Sequence, residues 1–228
     1  LNVDTGGNDI DGGAGVFDSV RFNTNEDVTV DLSVVGGFTS TLGVTGTITG
    51  FEVVRTRGGN DDLTGDATNN RFEVGTGADI VAMGDGDDII FVEDGGDTLD
   101  GGGGLNDTAF ITTTDNVVAN ILLGTLQIGA DAISSITDIE NITGNSGNDT
   151  LTGDTGNNNL QGLSGNDSIN GGDGNDAIIG GDGMDILFGG AGTDNINGGA
   201  GNDIADYTGT NSTDYMITNL GGGNWTVQ

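Results

Sequence analysis

Between residues 144 and 206, Asp149, Asp167, Asp176, Asp185, Asp194 and Asp203 are separated by multiples of nine residues. Ile178, Leu187 and Ile196 keep step with them, two positions further on. Asp61, Asp79, Asp88 and Asp97 follow the same spacing earlier in the chain. Side chains of this type offer hard, anionic oxygens. In register, they can chelate a cation or, as a pair, do acid–base work. Only Arg21, Arg55, Arg57 and Arg71 are basic, against 36 acids, for a formal net charge of -32.

The missing residue types narrow the chemistry. There is no His, Lys, Cys or Pro. Zinc and copper sites, disulfides and His-based triads are excluded on that ground. The segment GLSGN around Ser164 is not a G-x-S-x-G elbow. Carboxylate pairs for glycoside hydrolysis need a cleft in which one pKa is raised. Here the acids belong to a repeating ladder, and the aromatics are few (Trp225, Tyr207, Tyr215 and eight Phe). A calcium-assisted polysaccharide lyase would want a basic partner, for which Arg55, Arg57 and Arg71 are the candidates. So acidic a surface repels phosphate backbones and anionic membranes and attracts cations. No apolar run approaches the ~18 residues of a membrane span. No stretch reads as a signal peptide.

The residues that must position these acids form a repeat. From Gly144 the chain reads GNSGNDTLT, GDTGNNNLQ, GLSGNDSIN, GGDGNDAII, GGDGMDILF, GGAGTDNIN, GGAGNDIAD without insertion. Position 4 is always Gly, position 6 is Asp except for Asn158, and position 8 is aliphatic. An earlier block, 58–100, has Asp61, Asn70, Asp79, Asp88 and Asp97 at position 6. Its position 8 carries Leu63, Phe72, Val81, Ile90 and Leu99. Positions 7 to 9 suit a short strand with position 8 inward, and positions 1 to 6 a Gly-rich turn. Such a repeat buries its aliphatic only by stacking. Between the blocks lie Gly-poor, β-branched stretches with strand alternation, such as VTVDLSV. ISSITDIENI has Ile spacing open to a short helix or a solenoid coil. The chain reads as all-β.

Stacking creates an electrostatic conflict. Parallel strands lie ~4.8 Å apart. Carboxylates at that distance repel by ~1 kcal/mol in water and ~3–4 kcal/mol at an effective dielectric of 20. Four Arg cannot neutralise such columns; a divalent cation between successive turns can. Carboxylate and carbonyl oxygens in a flexible turn suit Ca²⁺ better than the tighter octahedron of Mg²⁺. The competing readings are plain turn-forming Asx residues and a solvated Gly/Asp linker, which would not keep an aliphatic in register.

The repeats resemble the GGxGxDxUx nonapeptides of RTX (repeats-in-toxin) proteins, closely over 144–206, fairly well over 58–100 and loosely in TGGNDIDGGAG near the start. The resemblance implies a right-handed parallel β-roll in which repeats i and i+2 stack, with several Ca²⁺ ions between stacked turns. It implies ligation by Asp61, Asp79, Asp88, Asp97, Asp149, Asp167, Asp176, Asp185, Asp194 and Asp203. It further implies the backbone carbonyls of Gly162, Ser164, Gly171, Gly172, Asp173, Gly174, Gly180, Gly181, Asp182, Gly183, Gly189 and Ala191. Asn70 and Asn158 can ligate without charge, so weak or absent ions are expected beside them. One-residue insertions put Asp18 and Asp107 out of the simple register. Position 5 carries Asn148, Asn157, Asn166, Asn175 and Asn202, read as solvated turn residues. A water-ordering face, as in ice-binding RTX modules, is the competing reading, interrupted by Met184 and Thr193.

The expected organisation has five segments: wider β-solenoid coils with a degenerate start (1–57), a first β-roll block (58–100), a wider insert (101–143), a second block (144–206) and a truncated further repeat (207–228). Similar stretches begin at Gly12, Gly101 and Gly198, and residue 1 is Leu, so the chain reads as a piece of a longer array. The function expected is a non-enzymatic, calcium-folded module of a secreted or cell-surface protein of adhesin, surface-layer or filament type. Type I secretion belongs to the same expectation, with self-association or cell-surface glycans as further partners. The alternative is an accessory module of a secreted toxin or enzyme whose catalytic domain lies elsewhere.

Overall fold

The computed structural model describes residues 2–3, 10–11, 18–33, 36–40, 45–206, 215–217 and 226–227. Most of the loosely matching stretch TGGNDIDGGAG and most of segment 207–228, with Tyr207 and Trp225, lie outside the described residues. Every regular element among the described residues is a β-strand. Contacts divide the chain into two units, Leu1–Ala109 with Ala132–Ile139, and Phe110–Asp131 with Glu140–Gln228.

In the first unit, alternate repeats go to opposite sheets. Ser19–Phe22, Val53–Arg55, Arg71–Glu73 and Ile89–Val92 pair in parallel in that order. Val28–Asp31, Asp62–Thr64, Ile80–Ala82, Thr98–Asp100 and Ser134–Thr137 do the same in the other sheet. The register aligns Val20, Val54, Phe72 and Ile90 in one column and Val30, Leu63, Val81, Leu99 and Ile136 in the other. All of these side chains are buried. Position 8 is therefore the inward position, because side chains alternate faces along a strand. Phe22 and Phe38 pack with ring centroids 5.4 Å apart and tilted by 57°. The stretch ISSITDIENI contributes the strand Ser134–Thr137.

The second unit repeats the scheme. Ile142, Leu160, Ile178 and Ile196 form one column, and Ala119, Leu151, Ile169, Leu187 and Ala205 the other. Hydrogen-bonded partners are eighteen residues apart, so two nonapeptides make one coil. Each buried aliphatic contributes ~1.5–3 kcal/mol, and a coil of two repeats holds two such residues in this column pair.

The Gly-poor stretches pair differently. Val117–Asn120 pairs antiparallel with Thr125–Ile128 while running parallel to Thr150–Thr152. In the first unit Gly36–Ser40 pairs antiparallel with both Val28–Asp31 and Thr45–Thr49. These strands lack the Gly-rich turn that sends a nonapeptide to the opposite sheet. They fold back on their neighbours instead and bury Val117, Ala119, Leu126 and Ile128.

Two turn positions show why Gly recurs. Gly183, at position 4, has φ 146°, and a Cβ there would overlap the carbonyl oxygen of Gly165 in the preceding coil. Leu163, at position 2, adopts φ 78°, in the region its counterparts Gly172, Gly181 and Gly190 occupy without a side chain. We expect Leu163→Gly to stabilise the protein by ~1 kcal/mol by relieving that backbone cost. Gly183→Ala should destabilise it by more than ~1 kcal/mol. Thermal unfolding in calcium checks both.

Candidate metal centre

Position 6 is the last turn residue before each strand, and the fold turns its carboxylate inward. Asp61, Asp79, Asp88, Asp97, Asp149, Asp167, Asp176, Asp185, Asp194 and Asp203 are each only 1–2% exposed. One oxygen of each is occupied along the stack. The backbone N–H of Asp167 donates to Oδ1 of Asp185 at 2.9 Å, and that of Asp185 to Oδ1 of Asp203 at 3.1 Å. Asp149 donates in the same way to Asp167 (2.8 Å), Asp176 to Asp194 (3.0 Å), Asp61 to Asp79 (2.8 Å) and Asp79 to Asp97 (2.9 Å). The stacking of repeats i and i+2 thus becomes a hydrogen-bonded column of carboxylates.

The other oxygen is not provided for. Oδ2 of Asp79, Asp88, Asp97, Asp167, Asp176, Asp185, Asp194 and Asp203 is buried with no hydrogen-bond partner in the protein. Buried polar atoms are ordinarily paired, and buried charges more so. Glycine keeps open the space these atoms face. A Cβ on Gly162 would meet Oδ2 of Asp167 and the carbonyl oxygen of Gly180; on Gly171, Oδ2 of Asp176 and the carbonyl of Gly189; on Gly180, Oδ2 of Asp185 and the carbonyl of Gly198. Each space is therefore bordered by a carboxylate oxygen and by a carbonyl from the next coil.

This donor set fits calcium: oxygen only, partly anionic, and held in a turn rather than a rigid cage. Among the described residues no three acidic side chains converge on one point. Most of the six to eight donors that calcium takes would therefore have to be backbone carbonyls. Of the carbonyls expected to serve, those of Gly180 and Gly189 border the Oδ2 spaces. Those of Asp182 and Ala191 accept N–H bonds from Gly165 (2.8 Å) and Gly174 (2.7 Å), and each keeps one lone pair. Gly162, Ser164, Gly171, Gly172, Asp173, Gly174, Gly181 and Gly183 lie in the same stacked turns, with Ser164 opposite Asp182 and Asp173 opposite Ala191.

The structure adds residues that the spacing left out. Asp107 joins the column despite its insertion, accepting the N–H of Asp88 at 2.7 Å. The loop from Gly101 absorbs the extra residue. Ser134 stands where a further Asp would follow Asp97, its hydroxyl accepting the N–H of both Gly96 and Asp97 at 3.0 Å. The position-5 Asn residues are structural as well as exposed. Oδ1 of Asn148, Asn166, Asn157 and Asn175 accepts the N–H of Asn166, Met184, Asn175 and Thr193 respectively, at 2.7–2.8 Å. Met184 and Thr193 form this ladder's last rungs through their backbone N–H groups, but neither offers an amide oxygen to continue it. Two of the three arginines considered for catalysis are engaged in the sheet. Arg55 and Arg71 both bond Glu73, and the Arg71 guanidinium lies 4.1 Å over the Phe91 ring. Burial opposes ionisation of Glu73, yet those two arginines outweigh it and hold the carboxyl below its usual range.

Fold and ladder together define a parallel β-solenoid built from calcium-site repeats, a structural repeat fold. A family model described as the RTX calcium-binding nonapeptide repeat, in four copies, matches residues 48–81, 138–160, 143–178, 152–187, 170–205 and 179–213. The chain carries RTX repeats, whose cofactor is calcium, several ions to an array. A search among curated proteins returned no match. No helix among the described residues is long and apolar enough to cross a membrane.

Without a cation, protons are the alternative source of positive charge. Burial is the main cause that pushes the carboxyls of Asp79, Asp88 and Asp167 up to about 7, and those of Asp97, Asp176 and Asp185 up to about 6. The N–H donors of the stack pull them down, and neighbouring carboxylates push them up again, as Asp149 and Asp185 do for Asp167. Burial likewise raises Asp61, Asp149 and Asp194. An acid whose pKa is higher folded than unfolded supports the fold only while protonated. That support is complete below about pH 3.8 and lost as pH rises through about 6–7. In chelator, β-structure measured by circular dichroism should therefore be greatest near pH ~4 and decline towards neutrality. Calcium should flatten the profile. Metal-free protein that gains structure between those pH values would contradict the assignment.

Proposed function

We propose that this chain is a calcium-dependent structural module of a secreted or cell-surface protein of adhesin, surface-layer or filament type. In this reading it does no catalysis, and its role is to be unfolded where calcium is scarce and rigid where calcium is abundant. The observation that carries it is the recurring buried Oδ2 with no protein partner.

The chain's own residues perform most of the work. The N–H of each position-6 residue orients the carboxylate above it, and the position-1 Gly leaves the space beside Oδ2. The position-8 aliphatics close the interior. A bound Ca²⁺ supplies the positive charge that lets neighbouring carboxylates stay ionised and packed. Asp167, Asp185 and Asp203, with Asp176 and Asp194, would hold it together with turn carbonyls. Whatever binds only the folded state stabilises that state by mass action. Extracellular calcium modules have dissociation constants of about 10⁻⁴–10⁻³ M, which suits a switch between cell interior and exterior. The acidic surface and the RTX repeats support export and a cell-surface place.

Calcium titration followed by circular dichroism, with magnesium as control, tests the reading. A cooperative gain of β-structure with calcium alone is expected; equal structure in chelator would sink it. Asp185→Asn keeps the shape and removes one charge. It should raise the calcium midpoint about tenfold, equivalent to ~1.4 kcal/mol, as read by the same titration.

A further inference from the structure

The first coils of the second unit are built differently from those that follow. Asp149 has both oxygens occupied by protein donors, Oδ1 by the N–H of Val117 at 2.8 Å and Oδ2 by the N–H of Asn145 at 2.9 Å. Asn145 is itself buried. Its amide donates to the Asp115 carbonyl at 2.8 Å, and its Oδ1 accepts the N–H of Gly147 at 2.6 Å. On the opposite column, Asn158 stands at the first rung in place of Asp. Its Oδ1 accepts the N–H of Asp154 at 2.9 Å, and its Nδ2 donates to the Glu140 carbonyl at 2.8 Å. An aspartate here would turn a second acceptor towards that carbonyl. The amide is the group that satisfies both sides. Asn141, also buried, accepts the N–H of Asn159 at 2.9 Å.

Above this level the pattern changes. Asp167, Asp176, Asp185, Asp194 and Asp203 each leave Oδ2 unpartnered. The lower coils also hold more apolar mass. The hairpin Val117–Asn120 with Thr125–Ile128 adds Val117, Leu126 and Ile128 to Ile142, Leu151 and Leu160, all buried. Its end is tied to the repeats by the N–H of Ile121 bonding the Thr152 carbonyl at 2.8 Å. Asn70 occupies the corresponding first rung in the first unit, with Oδ1 accepting the N–H of Asp66 at 2.8 Å.

We propose that the hairpin 117–128 and the strands Asn141–Thr143, Thr150–Thr152 and Asn159–Ser164 form a calcium-independent seed, on which the coils from Ser168 onward assemble only as calcium binds. The inference rests on the calcium-dependent reading above and says where that dependence begins. Asn158 and Asn145 are positioning residues of the seed. They complete hydrogen bonds that Asp could complete only by protonation or by taking an ion. The seed gives the chain a template already in register, so calcium-driven growth need not begin from a fully disordered strand.

Hydrogen–deuterium exchange of the full chain, in chelator and in calcium, tests this. In chelator the amides of 117–128 and 141–164 should remain protected while those of 168–206 exchange freely; in calcium both should be protected. Loss of both regions together in chelator would overturn the seed and leave the calcium reading standing. Equal protection throughout in both conditions would instead overturn the calcium reading itself. Asn158→Asp supplies a second arm. Protection of 141–164 in chelator should fall and be restored by calcium, whereas unchanged protection in chelator would show that the amide has no such part.

Discussion

A buried carboxylate oxygen with nothing in the protein to bond it, repeated in successive nonapeptides, is the constraint on which this structure turns. One oxygen of each position-6 Asp is taken by the backbone of the coil below, so the carboxylate cannot swing out to water without breaking the stack. The other is left in a space that glycine keeps clear. Protein donors are not supplied there; of the four arginines, Arg55 and Arg71 are bound to Glu73. The positive charge must come from solution, as a proton or as a cation. That is why a chain of net charge -32 can have a stacked interior at all.

The rest of the architecture follows from serving that column. Position 4 is glycine because the carbonyl of the coil below occupies the place of a Cβ, as at Gly183 over Gly165. Position 8 is aliphatic because the short strand has one inward side chain. Position 5 is so often asparagine because its carbonyl oxygen catches the next backbone N–H on the outside of the turn, as Asp does on the inside. Two parallel hydrogen-bond ladders, one neutral and exposed, one charged and buried, thus flank each turn. The neutral ladder is satisfied without help and the charged one is not. The response to calcium is concentrated in a single residue type per repeat.

Where the repeat departs from its pattern, the departures have a consistent sense. Ser134 follows Asp97 with a hydroxyl, Asn158 begins a column with an amide, and Asp149 has its second oxygen closed by the N–H of Asn145. At these positions the neighbouring coil is not a nonapeptide, so no matching turn exists to share an ion. Neutral groups or extra N–H donors complete the bonding instead. The Gly-poor stretches fold as antiparallel strands that add apolar bulk beside these ends.

Much of this was legible in the sequence. A nine-residue period with Gly at 4, Asp at 6 and an aliphatic at 8 determines strand, turn and inward face. Stacking is then the only way to bury a single aliphatic per repeat. The excess of Asp over any basic partner determines that a cation is needed, and the absence of His and Cys determines its class. The sequence could not show that Asp107 keeps its place in the column despite an insertion, because the loop from Gly101 takes up the extra residue. Nor could it show that Asn158 reaches the Glu140 carbonyl, or that Ser134 closes the Asp97 column thirty-seven residues away. Those are contacts between residues brought together by stacking, and only the tertiary structure fixes which backbone groups face each side chain. Local spacing encodes the repeat; the ends of each column are decided by what packs against them.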